Sequence, residues 1–379
     1  MSTDDLSWHT AAFPELREGP PWVMDEMVKA QVGLPEALAG ARGAAEIAAA
    51  VQSAARTGAP IVVTGCGTSE HGALAVAELI SHALRELVPG ARAESRQALD
   101  AALDARAGGV CIGVSHEGTT RATILALEAA RAAGAVVAGI SARADSPVAA
   151  GADHVVITPL TDRSWCHTVA YTSAILAGVA IADAISGRAS DIRGALPAVL
   201  ALRGQIDGLA AHVHGASRIL SVGLGADLIT ARELALKIEE GARVATTGLQ
   251  LETLLHGHLA ACDAGTTALV LFAADSRGGE RRDWRLRCAA GAAQAIGFPA
   301  VAIGAEGSLA GLPESTLRLV LPAPPAGSEL PHALLTGAAC LQLLTLALAQ
   351  LAGSNPDLIR REQRPYREAA AVAENRADW

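Results

Sequence analysis

Lysine is almost missing from this sequence: Lys29 and Lys237 stand beside 28 arginines in a chain of 379 residues. Aromatic residues are scarce too, at 3%, so the 51% hydrophobic content is carried by Ala, Val and Leu. Small aliphatic side chains suit helices packed closely on a parallel sheet. No basic run and no basic–aromatic interleaving occurs, and the net charge is −9, which argues against a nucleic-acid partner. The acidic start, Met1-Ser2-Thr3-Asp4-Asp5, lacks the apolar core of a secretory signal. The longest apolar stretch, Val169 to Ala182, contains Thr172 and Ser173 and is short for a membrane span, so it reads as a buried helix. Six cysteines (Cys66, Cys111, Cys166, Cys262, Cys288 and Cys340) form no CxxC pair. That pattern argues against zinc and for a reducing, cytoplasmic setting with no membrane partner.

Short β-branched runs alternate with Ala-rich helical stretches. Strands are expected at 60–64, 109–114, 135–140, 154–158, 218–222, 267–272, 300–303 and 317–321. Helical windows fall between them, at 72–86, 120–133, 168–185, 229–242 and 333–352. This alternation predicts doubly wound α/β folding with parallel sheets and right-handed crossovers. A repeat is also present. Gly65, Gly67 and Ala73 recur as Gly223, Gly225 and Ala231, each offset by 158 residues in matching strand–helix context. Two tandem flavodoxin-like domains are therefore expected. The division reads as an N-terminal helical segment 1–50, domains 51–195 and 196–350, and a tail 351–379. Gly187, Gly194 and Pro197 interrupt the helical pattern at the middle boundary.

Ligands of such sheets sit beyond the carboxyl ends of the strands. The first such loop is Gly65-Cys66-Gly67-Thr68-Ser69-Glu70-His71. Glu70 stands where the dinucleotide fingerprint needs its third glycine, and no Walker loop occurs, so no nucleotide cofactor is expected. What remains is a tight turn with hydroxyls at a helix start, fit for a small anion or simply for capping. The next loop, Ser115-His116-Glu117-Gly118-Thr119-Thr120, has the same character. Further on, Glu233, Lys237 and Glu240 stand at i, i+4 and i+7, on one helix face. Such a face is either solvated with one ion pair or a proton-transfer site. One of only two lysines standing there favours a need for an amine. His256 follows Glu240 by 16 residues.

These loops resemble the phosphate-binding loops of the double sugar-isomerase (SIS) family. Within it, they are most similar to the isomerase half of glutamine–fructose-6-phosphate amidotransferase and to SIS-type glucosamine-6-phosphate deaminases and deglycases. The resemblance runs from about Gly58 to Arg361. It implies that Gly67, Thr68, Ser69, Ser115, His116, Glu117 and Thr120 surround a phosphate. It further implies that Glu240 shuttles a proton between C1 and C2, with Lys237 and Glu233 polarising and orienting. His256 would open the sugar ring from the neighbouring subunit, which implies a homodimer with shared sites. Asp162 and His167 occupy the segment where relatives contact the sugar, although that segment reads equally as a capped start to the helix at Thr168, and Arg361 takes the place of a C-terminal lysine. This sequence departs from the family's Ser-Gln-Ser-Gly-Glu-Thr loop at His116 and at Glu117, where the family has a phosphate-binding serine. A protonated His116 would offset the carboxylate. The stretch before Gly58 is too short for the family's glutaminase domain, so ammonia from glutamine is not expected. The expected activity is therefore a phosphosugar isomerase, deaminase or deglycase without cofactor or metal. The alternative is a non-catalytic sugar-phosphate sensor.

Overall fold

The computed structural model describes residues 8–11 and 13–374. Along them run β1 (Ile61–Gly65), β2 (Glu94–Gln97), β3 (Val110–Val114), β4 (Val136–Ser141), β5 (His154–Ile157), β6 (Arg218–Gly223), β7 (Ala245–Gln250), β8 (Thr267–Ala273), β9 (Ala300–Gly304) and β10 (Thr316–Val320). They form two five-stranded sheets, ordered β2-β1-β3-β4-β5 and β7-β6-β8-β9-β10. Every pairing is parallel. The central strands β1, β3 and β8 are buried along their whole length, so the continuous Val, Ile and Leu runs find cover on both faces. Sequence periodicity passes over β2 and β7. Both are edge strands with polar sequences, Glu-Ser-Arg-Gln and Ala-Thr-Thr-Gly-Leu-Gln, and such edges carry little apolar signal.

The strand order of the second sheet repeats that of the first. Register carries the repeat further: Ile61 lies opposite Val110, and Ile219 opposite Ala268, each pair displaced by the same 158 residues. Gly67 and Gly225 sit at φ 57°, ψ −128° and φ 62°, ψ −127°, a conformation that only glycine adopts readily.

One continuous core joins the sheets. Ile61 and Val110 from the first sheet share it with Ile219 and Val270 from the second. The helices Thr68–Leu84, Val169–Ser186, Ala226–Gly241 and Glu329–Leu351 fill it. Close approach explains the shortage of aromatics: a Cβ on Gly72 would lie 2.8 Å from the Ala174 methyl, and one on Gly178 would lie 3.0 Å from Val76. Two helices, Val169–Ser186 and Glu329–Leu351, are long and apolar enough to cross a membrane by composition, and 83% of each such window is buried inside the molecule. They are core helices.

A small polar knot sits in this apolar interior. Gln31 donates to the Gln342 side-chain oxygen at 2.6 Å and accepts from Thr172 at 2.6 Å, while Gln342 donates to the Thr168 carbonyl at 3.1 Å. The expected cut after residue 50 falls inside the helix Ala44–Thr57. The middle cut, after residue 195, falls at the start of the helix Ala195–Leu200, just past the link 187–194 that left-handed Gly187 opens. Beyond Leu351 the chain turns back over the ends of neighbouring elements. Asp357 accepts the Val23 and Met24 amides at 2.8 and 2.7 Å, and its carbonyl accepts the Trp165 amide.

Candidate active site

The face bearing Glu233, Lys237 and Glu240 is not solvated. The side chains of Glu233 and Lys237 are 0% exposed, and Glu240 keeps 22%. Lys237 donates to Glu240 and lies 3.8 Å from Glu233. Burial alone would lower the lysine's pKa, but the two carboxylates reverse this and hold it above its ordinary value, so it stays an ammonium. Burial dominates at Glu240 and raises its carboxyl above the usual range, although Lys237 pulls the other way. A raised carboxyl with partial access to solvent has the properties of a general base.

The neighbours of this triplet come from the first repeat. The Cys166 thiol donates to the Lys237 carbonyl at 3.9 Å, and the buried Tyr171 hydroxyl has no hydrogen-bond partner among the described residues. His71, on the first loop's helix, donates from Nδ1 to Glu233 at 2.6 Å. Its side chain is 14% exposed, and its Nε2 makes no hydrogen bond among the described residues. The sequence signal for His71 was its place two residues after Ser69, and it went unused because its carboxylate partner lies 162 positions away.

The loop residues fall as follows. The Thr68 and Ser69 hydroxyls make no hydrogen bond among the described residues, at the start of Thr68–Leu84. Ser115, 1% exposed, donates to the Thr120 hydroxyl at 3.2 Å. Gly118 turns the second loop at φ +65°, where a Cβ would lie 2.0 Å from the Ser146 hydroxyl oxygen. Glu117 points to Arg143 at 3.9 Å, and this pairing meets the charge that its sequence position brings. The structure thus assembles a hydroxyl-lined turn on each of two adjacent strands.

Four expectations change. His116 is not a cation: its Nε2 accepts the Asp162 amide at 2.8 Å, and burial lowers its pKa to about 4. Asp162 is not free for a sugar. Its carboxylate accepts the Thr168, Ala170 and Ser164 amides at 2.6, 3.3 and 3.3 Å, capping the helix Val169–Ser186. His167 packs edge-on against His116 with ring centres 5.8 Å apart, and burial lowers its pKa to about 4 as well. Arg361 stacks on Trp165 at 4.8 Å and pairs with Glu374 at 2.7 Å, rather than reaching the triplet. His256 stands apart within one chain: it is 76% exposed and lies 3.3 Å from Glu252 on its own helix.

Doubly wound sheets with hydroxyl-bearing turns at the strand ends, and a buried carboxylate–ammonium–carboxylate helix tied to the first turn's helix through His71, define a class. Residues 56–186 match the SIS domain family. That stretch is a SIS domain, and the chain has homology to the isomerase half of glutamine–fructose-6-phosphate aminotransferases. It is 30% identical over 232 residues to the human glutamine–fructose-6-phosphate aminotransferase 2, covering 57% of this chain and 33% of that one. The Pyrococcus horikoshii aminotransferase is 28% identical over 310 residues, 78% of this chain and 50% of its own length. The chain thus spans a third to a half of these curated relatives. Among solved structures, the C-terminal domain of the Francisella tularensis glucosamine–fructose-6-phosphate aminotransferase superposes with TM-score 0.74 at 17% identity, over 90% of this chain and 99% of that one. The Thermotoga maritima glucosamine-6-phosphate deaminase superposes with TM-score 0.60 at 17% identity, over 79% and 87%. Those two likenesses concern the fold.

Proposed function

We propose that the chain is a phosphosugar enzyme that moves a proton between C1 and C2 of an amino or ketose sugar phosphate, as an isomerase, deaminase or deglycase. The observation that carries this reading is the buried Glu233–Lys237–Glu240 face, in which Glu240 alone keeps solvent access. Glu240 takes the proton from one carbon and returns it to the next. Lys237, held as an ammonium, stabilises the oxyanion of the intermediate enediol. Glu233 steadies Lys237 and fixes the tautomer of His71, whose open Nε2 is an acid–base group within the same chain. The hydroxyls of Ser69, Ser115 and Thr120 and the turn at Gly67 and Thr68 hold the phosphate. His256, exposed on its own chain, is available to a second copy, which accords with a homodimer. The six free thiols accord with a reducing, cytoplasmic setting.

Incubation with glucosamine 6-phosphate or fructose 6-phosphate in deuterated water tests the reading. The protein exchanges the C1 or C2 hydrogen, and Glu240→Gln abolishes exchange with fold and ligand binding intact. Exchange retained in that variant removes Glu240 from the mechanism. Ammonia release from glucosamine 6-phosphate separates deaminase from isomerase. A second reading, a sugar-phosphate sensor without catalysis, draws support from Arg361, which is tied to Glu374 and Trp165 rather than to the triplet. It is the outcome if ligand raises the melting temperature while the wild type exchanges nothing.

A further inference from the structure

The second repeat has the same turns as the first but different occupants. The 158-residue displacement holds through sequence and register, so Thr68, Ser69, Ser115 and Thr120 correspond to Ala226, Asp227, Ala273 and Gly278. Each hydroxyl that lines the first pair of loops is gone from the second. Asp227 takes the place of Ser69. It is 2% exposed, and its carboxylate accepts the amides of Ala274, at 2.9 Å, and Asp275, at 3.2 Å to each oxygen. Those two amides correspond to His116 and Glu117 of the first repeat's second loop.

A cation stands behind the carboxylate. Arg282 is 4% exposed, and its Nη1 lies 3.7 Å from Asp227 without a hydrogen bond among the described residues. Its Nη2 is committed to Ser308 at 2.5 Å and Asp283 at 3.1 Å. On the other side Asp275 is taken by Arg277, at 2.7 and 2.6 Å, which reaches Glu78 of the first repeat at 3.0 Å. An inward-facing guanidinium and two converging amides form a built anion site, and its ligand is a side chain of the same chain.

We infer that the second repeat is an anion-binding loop pair filled by the Asp227 side chain, so that each chain offers one sugar-phosphate site rather than two. The site takes a small monocarboxylate anion when its own carboxylate is removed. The inference rests on the proposed function only in treating the first repeat's loops as the open counterpart.

Chemical rescue tests it. Burial pushes the Asp227 carboxyl up to about 7, so measurements belong at about pH 8, where it is ionised. Asp227→Gly leaves two amides and a guanidinium nitrogen buried without an acceptor, and its melting temperature falls by more than about 5 °C. Millimolar formate restores at least half of that loss, neutral formamide restores none, and the wild type responds to neither. If Asp227→Gly does not fold from the outset, refolding yield with formate against formamide gives the same readout. A variant that melts like the wild type, or one that formate and formamide rescue equally, overturns the proposal. Calorimetric titration of the wild type with glucosamine 6-phosphate is expected to give one site per chain, and two sites would also overturn it. Formate rescue with no sugar-phosphate binding at all leaves this inference standing and removes the proposed function instead.

Discussion

Glu117 brings a negative charge to a turn that elsewhere offers hydroxyls, and the chain answers by pointing it at Arg143. Both side chains are about half exposed, so the pair is worth little. Glu117→Ser is therefore expected to tighten glucosamine 6-phosphate binding by less than about fivefold, as read by titration calorimetry. Gly118 beside it is far less tolerant. Its φ of +65° and the 2.0 Å approach to Ser146 act together, so Gly118→Ala costs about 2 kcal/mol or more in urea unfolding. Gly134→Ala is the control. That glycine has φ +83° but open space around its Cβ direction, so only the backbone term, about 1 kcal/mol, is lost. At this scale the sequence was informative where chemistry is local: Glu233, Lys237 and Glu240 share a face by spacing alone. It was silent where a partner comes from far along the chain, as with His71 and Glu233. At Asp162 it left a sugar contact and a helix cap equally open, and the carboxylate serves three amides that follow it.

Elements inherit these choices. The segment between β5 and the helix Val169–Ser186 is organised by Asp162 and by two half-buried imidazoles, His116 and His167, both with pKa lowered to about 4 by desolvation. Both stay neutral in the folded protein and gain a proton near pH ~6.5 when unfolded. The unfolded state thus binds more protons between about pH 6.5 and 4, so this contribution to stability is complete above that window and lost as pH falls through it. Melting temperature is expected to drop across the window, and the double variant His116→Gln, His167→Gln to show a shallower drop. An unchanged slope would mean that other groups set it. The inner strands were legible because their burial is continuous, whereas the polar-rich helix Gly279–Ile296 lay outside every expected helical window. The edge strands β2 and β7 were not, since an edge needs neither an apolar run nor strict alternation.

For the whole molecule, the repeat visible in two glycine turns becomes two sheets of identical strand order sharing one core. Neither half buries its helices alone, so the full chain is expected to unfold in a single cooperative transition. A fragment of residues 1–195 should show none, by calorimetry. The proposed shared site predicts complementation. Glu240→Gln and His256→Asn are each inactive, and denaturing and refolding them together restores about a quarter of wild-type activity, because half the dimers then hold one intact site. Full activity of His256→Asn on its own would instead place the imidazole within the chain, at His71.

Duplication has a hazard of its own. Two stretches of Ala and Leu helix that fit each other can also fit the same stretches in another molecule, or slide by a turn. The knot of Gln31, Gln342 and Thr172 makes the wrong pairings expensive, because any slip strands amide groups in hydrocarbon. It acts as a key that only one alignment of the two halves can turn.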